Sequence, residues 1–241
     1  MQQDHREDFY EALEKIKELD SFALSRCADG EASILRNMTI GNKDGWLYKK
    51  NKNLIFRSDL RRSLTCKDKN FFYGISSRNV DEKNYSFLRK FIKQDLLYVT
   101  FSDIWVNANY YLFNKLFLPT LNDTKKNIII ITNPKAKIDN LKQFININDF
   151  IPIKGNCVSY WETKRDYLKA LFDVKASLTE NAIFLIAVGP LSNIIIYEMW
   201  HINRNNIYLD IGSTLDPIIF NRQSRNYHKP GHPDRDLVDL W

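Results

Sequence analysis

The sequence predicts an α/β domain with a mostly parallel sheet covered by helices. Runs of strand length such as NIIIIT (Asn127 to Thr132) and AIFLIAV (Ala182 to Val188) are apolar at consecutive positions, as strands buried on both faces must be. These runs alternate with segments whose apolar residues recur at three- and four-residue spacing, the mark of helices that cover a sheet. The 241 residues are 44% hydrophobic and 13% aromatic, enough for one large core. No Pro-, Gly- or Ser-rich linker divides them, so residues 1–241 are expected to form one domain, with an N-terminal helix in 1–19 and a tail or lid in 221–241.

Phe9, Leu13 and Ile16 stand at helical spacing among acids and lysines, which predicts an amphipathic helix over 6–19. A strand is expected at Ser21 to Ser25, then a turn at Asp29-Gly30-Glu31 and a helix over Ala32 to Asn37, with Asp29 where an N-cap sits. Phe71 to Ile75 reads as a strand, followed by a helix near Asn84 to Gln94, a strand at Leu97 to Thr100 and a helix across Asn107 to Phe117. After the β-branched strand Asn127 to Thr132 come a helical stretch at Leu141 to Ile145, a short strand at Asp149 to Ile153 and a helix over Trp161 to Phe172. Strand Ala182 to Val188, helix Ser192 to Ile202 and strand Ile207 to Ile211 complete the series.

The net charge of +6 favours polyanionic partners such as phosphates, nucleotides or an acidic membrane surface. Part of it is local: Lys49 to Lys67 (KKNKNLIFRSDLRRSLTCK) holds seven basic residues against the acid Asp59, which suits an anionic substrate, an anionic lipid surface or simply a solvated face. Three cysteines, Cys27, Cys66 and Cys157, lie far apart and suggest neither a disulfide framework nor a zinc cluster. The N-terminus lacks the apolar core of a signal peptide, and the longest apolar run is too short to span a bilayer. The expectation is a cytoplasmic protein without a nucleic-acid partner, with peripheral contact at the inner face of the membrane left open by the basic segment.

In a parallel sheet, ligands bind where strands deliver the chain at their carboxyl ends, so the residues after each strand are the candidates. Asp29 and Glu31 flank Gly30, and two carboxylates on a tight turn can hold a hard divalent cation; Arg26 could bind a phosphate through its planar fork. The alternative is a plain helix start, with Asp29 as cap and Glu31 in the first turn. In AVGPLSNIIIYEMW (187–200), Gly189, Pro190 and Ser192 lead into a helix whose free N–H groups suit a phosphate, although neither G-x-G-x-x-G nor a Walker A lysine is present. In YLDIGSTLDP (208–217), Asp210 and Asp216 are candidate bases beside Gly212 and Ser213, while Asp216 before Pro217 also suits a turn. FSDIWVNANYYLF (101–113) adds Asp103, Asn107 and Asn109 near aromatic rings, the equipment of a sugar or nucleobase pocket. The tail SRNYHKPGHPDRD (224–236) carries Arg225, His228 and His232, without zinc-site spacing, in a segment able either to fold over a site as a lid or to remain a mobile end.

An early S-R-x-x-D-G-E, a central S-D-x-x-x-N-A-N-Y, a strand running into G-P and then D-I-G-S-x-L-D-P resemble, in this order, the bacterial glycosyltransferases of the GT-D fold, first described as a domain of unknown function. The resemblance spans residues 20 to about 228, and it departs from the family's usual R-F-G-D-G-E at Cys27 and Ala28. It implies a Rossmann-like hexosyltransferase domain that moves a sugar from a nucleotide-sugar, with a UDP-sugar the expected donor, to a glycan, glycoprotein or surface-polysaccharide acceptor. Asp29 and Glu31 then become the site of Mn2+ or Mg2+ and the diphosphate, with Arg26 and Gly30 beside them. Gly189, Pro190, Ser192, Gly212 and Ser213 shape the nucleotide side, Asn107 and Asn109 contact sugar or acceptor, and Asp103, Asp210 or Asp216 takes the acceptor proton. Two other readings share this chemistry: a non-catalytic nucleotide- or glycan-binding module, and a metal-dependent nucleotide phosphohydrolase.

Overall fold

The computed structural model describes residues 4–42 and 45–233. One seven-stranded sheet takes strands from most of the chain: β1 (Ala23–Cys27), β4 (Phe71–Ile75), β5 (Val99–Phe101), β6 (Asn127–Thr132), β7 (Ile147–Pro152), β8 (Ala182–Ala187) and β9 (Ile207–Asp210). Their order is β5-β4-β1-β9-β8-β6-β7, and every neighbouring pair is parallel. A separate two-stranded hairpin, β2 (Ile40–Gly41) with β3 (Leu47–Tyr48), had no counterpart in the sequence pattern.

Alternation along the strands sorts their side chains into two cores. Ile129, Ile131, Phe184 and Ile186 face one side, packed by α2 (Asp29–Leu35), α3 (Leu54–Ser63), α8 (Cys157–Ser177) and α9 (Leu191–Ile202). Ile128, Ile130, Ile183 and Leu185 face the other, beneath α1 (His5–Glu18) and the helical stretch that follows β5. The central strands β6 and β8, with β4, therefore read as apolar at consecutive positions, because both faces are covered, whereas the edge strand β7 carries the polar Asn148 and Asp149.

α2 (Asp29–Leu35 against an expected 32–37) and α7 (Ile138–Leu141 against an expected 141–145) are shifted towards the N-terminus, and three other helices differ from their predicted extents for identifiable local reasons. α4 (Arg78–Leu88) starts directly after β4, where the Ser77 hydroxyl accepts the Asn79 N–H at 3.1 Å, several residues earlier than its apolar pattern indicates. α8 runs for 21 residues because Asn156 caps it upstream, accepting the Ser159 N–H at 3.2 Å. The expected helix over 107–117 is instead a 3-10 turn (Asn107–Asn109), α5 (Tyr110–Leu112), a π-turn (Phe113–Phe117) and α6 (Leu118–Asp123), with Pro119 tolerated in the first turn of α6. Two short helices, α7 (Ile138–Leu141) and α10 (Asp216–Ile219), lie beside each other past β6 and β9. Among the described residues no helix is long and apolar enough to cross a membrane.

The chain begins at the middle of the sheet with β1, moves outward through β4 and β5, and later returns from the other edge to place β9 beside β1. That reversal opens a crevice at the carboxyl ends of β1, β9 and β8, where parallel sheets bind ligands.

Candidate functional site

Arg26 is the penultimate residue of β1, with its Nε donating to the Ser102 carbonyl after β5. Its guanidinium fits only because Gly212 has no side chain: a Cβ there would lie 2.7 Å from Arg26 Nη1, and Gly212 also adopts φ +55°, which favours glycine. Cys27 is buried and points under the sheet, where its thiol and the Ser25 hydroxyl both donate to Asn193 Oδ1 of α9. The Cys27-Ala28 pair thus lies beneath the turn and leaves its upper side to Asp29, Gly30 and Glu31.

The expected cap is corrected here. Ala28, not Asp29, is the N-cap of α2, and since alanine has no acceptor, Glu31 reaches back and takes the Ala28 N–H at 2.8 Å. Asp29 is the first helical residue, with its side chain exposed at the mouth of the crevice. Burial pushes the Glu31 carboxyl up to about 7; the Ala28 N–H pulls it back, and the charges of Asp210 and Asp29 push it further the same way. Burial likewise raises Asp210 to about 6 against the pull of Arg26 and of the Gly212 N–H, which it accepts at 2.9 Å. Three carboxylates are therefore crowded around one turn, and burial makes two of them, Glu31 and Asp210, harder to ionise.

A cavity of about 570 Å³ opens over this turn, within the usual range for a small-molecule site. Asp29, Gly30, Glu31, Gly189, Pro190, Gly212, Ser213 and Asp216 line it. The β2–β3 hairpin brings Trp46 across its floor, against Gly30 and Gly189, where added Cβ atoms would stand 3.4 and 3.0 Å from the indole. Gly189 also holds φ +59°. The far wall is cationic: Lys135 and Lys137 follow β6, Lys154 follows β7, and Arg222 and Arg225 come from the segment after α10. The part of this segment before residue 234 borders the site, with Ser224 donating to Asp216 and the Tyr227 and Ser213 hydroxyls 2.8 Å apart, while the rest of the expected tail or lid, 234–241, lies outside the described residues.

Not every predicted residue reaches the cavity. Ser192 is fully buried in α9; its N–H donates to the Gly189 carbonyl and its hydroxyl accepts the Val188 N–H, so neither is open to a phosphate. Asn109 is fully buried and donates to the Ile104 carbonyl. Asp103 holds Asn107 and Ser102 by hydrogen bonds, with its carboxyl raised by burial, and stands with Asp210 behind Arg26 rather than in the cavity wall. Of the three candidate bases, Asp216 alone lines the cavity, where Arg222 approaches it at 4.0 Å. Trp46, Lys135, Lys137 and Lys154 escaped sequence reasoning; the residues ending β6 and β7 carry no motif, and only the rule that sheet carboxyl ends bind ligands could have singled out their lysines.

Fold and crevice together define an α/β domain with a cavity of small-molecule size at the carboxyl edge of a parallel sheet. Comparison with solved structures narrows this to one fold. A selenomethionine-substituted structure of the domain of unknown function 1792 (DUF1792) matches with a TM-score of 0.60 and 15% identity, over 95% of this chain and 88% of that one. A second DUF1792 structure, described as having a distinct glycosyltransferase fold, matches with a TM-score of 0.59 and 14% identity over the same shares. The chain has this glycosyltransferase fold. No protein-family model and no curated protein sequence matches it.

Proposed function

We propose that this cleft transfers a sugar from a nucleoside-diphosphate donor to an acceptor hydroxyl. The observation that carries the reading is the opposed charge of the two cavity ends, carboxylates over β1 and cations past β6 and β7, within a glycosyltransferase fold. The strands beneath the two ends are three to four sheet spacings apart, on the order of 14–19 Å. A ligand touching both is therefore extended, with an anionic part and a hydroxyl-rich part, as a nucleoside-diphosphate sugar is. Lys135, Lys137 and Lys154 supply a positive field that draws an anionic donor into the cleft, Trp46 offers an apolar ring, and Asp216 suits a hydroxyl.

Asp29 and Glu31 fit a divalent cation such as Mn2+ or Mg2+ of the kind that keeps water and phosphate oxygens as its other ligands. One Glu31 oxygen serves Ala28, and crowding among Glu31, Asp29 and Asp210 is relieved by a nearby positive charge. Among the described residues no group of three or more His, Cys, Asp or Glu forms a closed cage, so these two side chains would share the ion with substrate. Such an ion, when bound, neutralises charge on the departing nucleoside diphosphate. Asp216 is the base of this reading: it lines the cavity, and Ser224 and Arg222 hold its carboxylate in one orientation.

Thermal denaturation with a panel of nucleoside diphosphates and their sugars, with and without Mn2+, tests the proposal. UDP or a UDP-sugar should raise the melting temperature, more with metal present, and Asp29→Asn should lose the metal-dependent part while remaining folded. No stabilisation by any nucleotide overturns it. Sugar release from the stabilising donor then separates a transferase from a binding module.

A further inference from the structure

The basic segment 49–67 divides in the structure. Arg57 donates to the Leu35 carbonyl, Arg62 pairs with Glu198 and Asp59, and Arg61 lies over the Phe91 ring, so these three serve the fold. Lys49, Lys50 and Lys52 are exposed and make no ion pair among the described residues. They sit on a knob formed by two turns, 37–39 and 49–53, at the base of the β2–β3 hairpin.

The knob is held rigid by a reciprocal pair of asparagines. Asn37 and Asn51 both adopt left-handed backbone, φ 57° and 59°. The Asn37 amide donates to Asn51 Oδ1 at 2.7 Å, while its Oδ1 accepts the Asn51 N–H at 3.2 Å and the buried Tyr48 hydroxyl at 2.7 Å. Lys50 N–H donates to the Thr39 hydroxyl at 3.0 Å, tying the two turns again. The knob thereby exposes aliphatic side chains beside the lysines: Met38 at 53%, Leu54 at 51% and Ile55 at 46%, the latter two opening α3. A solvated basic face has no use for three half-exposed aliphatics on the same knob. Unpaired lysines next to apolar side chains match the two layers of a membrane surface, anionic headgroups above and acyl chains below.

We infer that this knob docks the protein peripherally on an anionic lipid surface, with Met38, Leu54 and Ile55 entering the headgroup–acyl boundary and Lys49, Lys50 and Lys52 meeting lipid phosphates. The inference does not depend on the reaction proposed for the cleft. The docking hairpin is also the element that carries Trp46 into the cleft, so lipid contact and ligand contact share one piece of structure.

Co-sedimentation of the full chain with vesicles tests it, using phosphatidylcholine alone and phosphatidylcholine mixed with phosphatidylglycerol. Binding should appear only with the anionic lipid and weaken in high salt. Each lysine near such a surface is worth about fivefold in partitioning, so the triple variant Lys49→Gln, Lys50→Gln, Lys52→Gln should bind about a hundredfold less. Leu54→Ser with Ile55→Ser should lose about tenfold with an unchanged melting temperature, since both side chains are exposed. Equal binding to phosphatidylcholine alone, or insensitivity to the triple variant, overturns the proposal. Wild-type binding by the double serine variant also overturns it, because the knob would then be a general polyanion site.

Discussion

The two ends of the cleft are built on opposite principles. At the β1 and β9 end, charged groups are packed into tight turns: Arg26 against Gly212, Glu31 folded back onto its own helix start, and Asp210 buried with its carboxyl raised to about 6. At the β6 and β7 end, Lys135, Lys137 and Lys154 extend from loops into solvent. The first arrangement costs desolvation and backbone strain and fixes position; the second costs little and supplies charge over a wide area. On the proposed function, a site divided in this way orients the reacting centre at the buried end and gathers an anionic ligand at the open end.

The largest effect should come from breaking the buried end. Glu31→Gln keeps an oxygen for the Ala28 N–H but removes the charge, so metal-dependent sugar transfer should fall about a hundredfold or more while the melting temperature changes little; steady-state kinetics and denaturation together check it. If Glu31→Gln instead unfolds the chain and spares nucleotide binding, capping is the whole role of Glu31.

A pH dependence should follow from Asp210. Its carboxyl titrates at about 6 in the folded chain against an ordinary 3.8, so the folded state holds the proton more tightly than the unfolded state does. The penalty for ionising it is absent below pH 3.8, grows as pH rises, and is complete above about 6, reaching ~3 kcal/mol. Asp210→Asn retains an acceptor for the Gly212 N–H and should flatten that fall in stability between pH 4 and 6, as read from chemical denaturation at several pH values.

At the open end, Lys135→Ala with Lys154→Ala should raise the Kd for a nucleoside diphosphate about tenfold or more and reduce its salt sensitivity, without altering stability. A change in kcat equal to that of Glu31→Gln would erase the distinction between the ends. The smallest effect is structural: Gly212→Ala introduces a Cβ against Arg26 in left-handed backbone, costing about 1–2 kcal/mol and a few degrees of melting temperature.

Local pattern made the scaffold legible. Phe71–Ile75 and Asn127–Thr132 are strands with the bounds their sequence indicated, because residues apolar on both faces admit few other structures. Helix starts were less legible: α4 and α8 are capped by Ser77 and Asn156, whose capping hydrogen bonds form outside the apolar periodicity. In the site, Asp29, Gly30, Glu31, Gly189, Pro190, Gly212, Ser213 and Asp216 share one cavity as the strand-end rule implied. Ser192 and Asn109 were drawn in by position alone, and packing turned both inward.

By itself, then, the sequence determined the α/β class, the strand ends at which ligands collect and the acid-bearing turn after β1, since each follows from local periodicity or local turn chemistry. Only the tertiary structure decided that Glu31 rather than Asp29 closes the helix start, that Trp46 crosses from a separate hairpin, and that lysines past β6 and β7 face carboxylates past β1. Those relations depend on the order of strands in the sheet, which places residues more than a hundred positions apart on one edge, and no window along the chain contains that order.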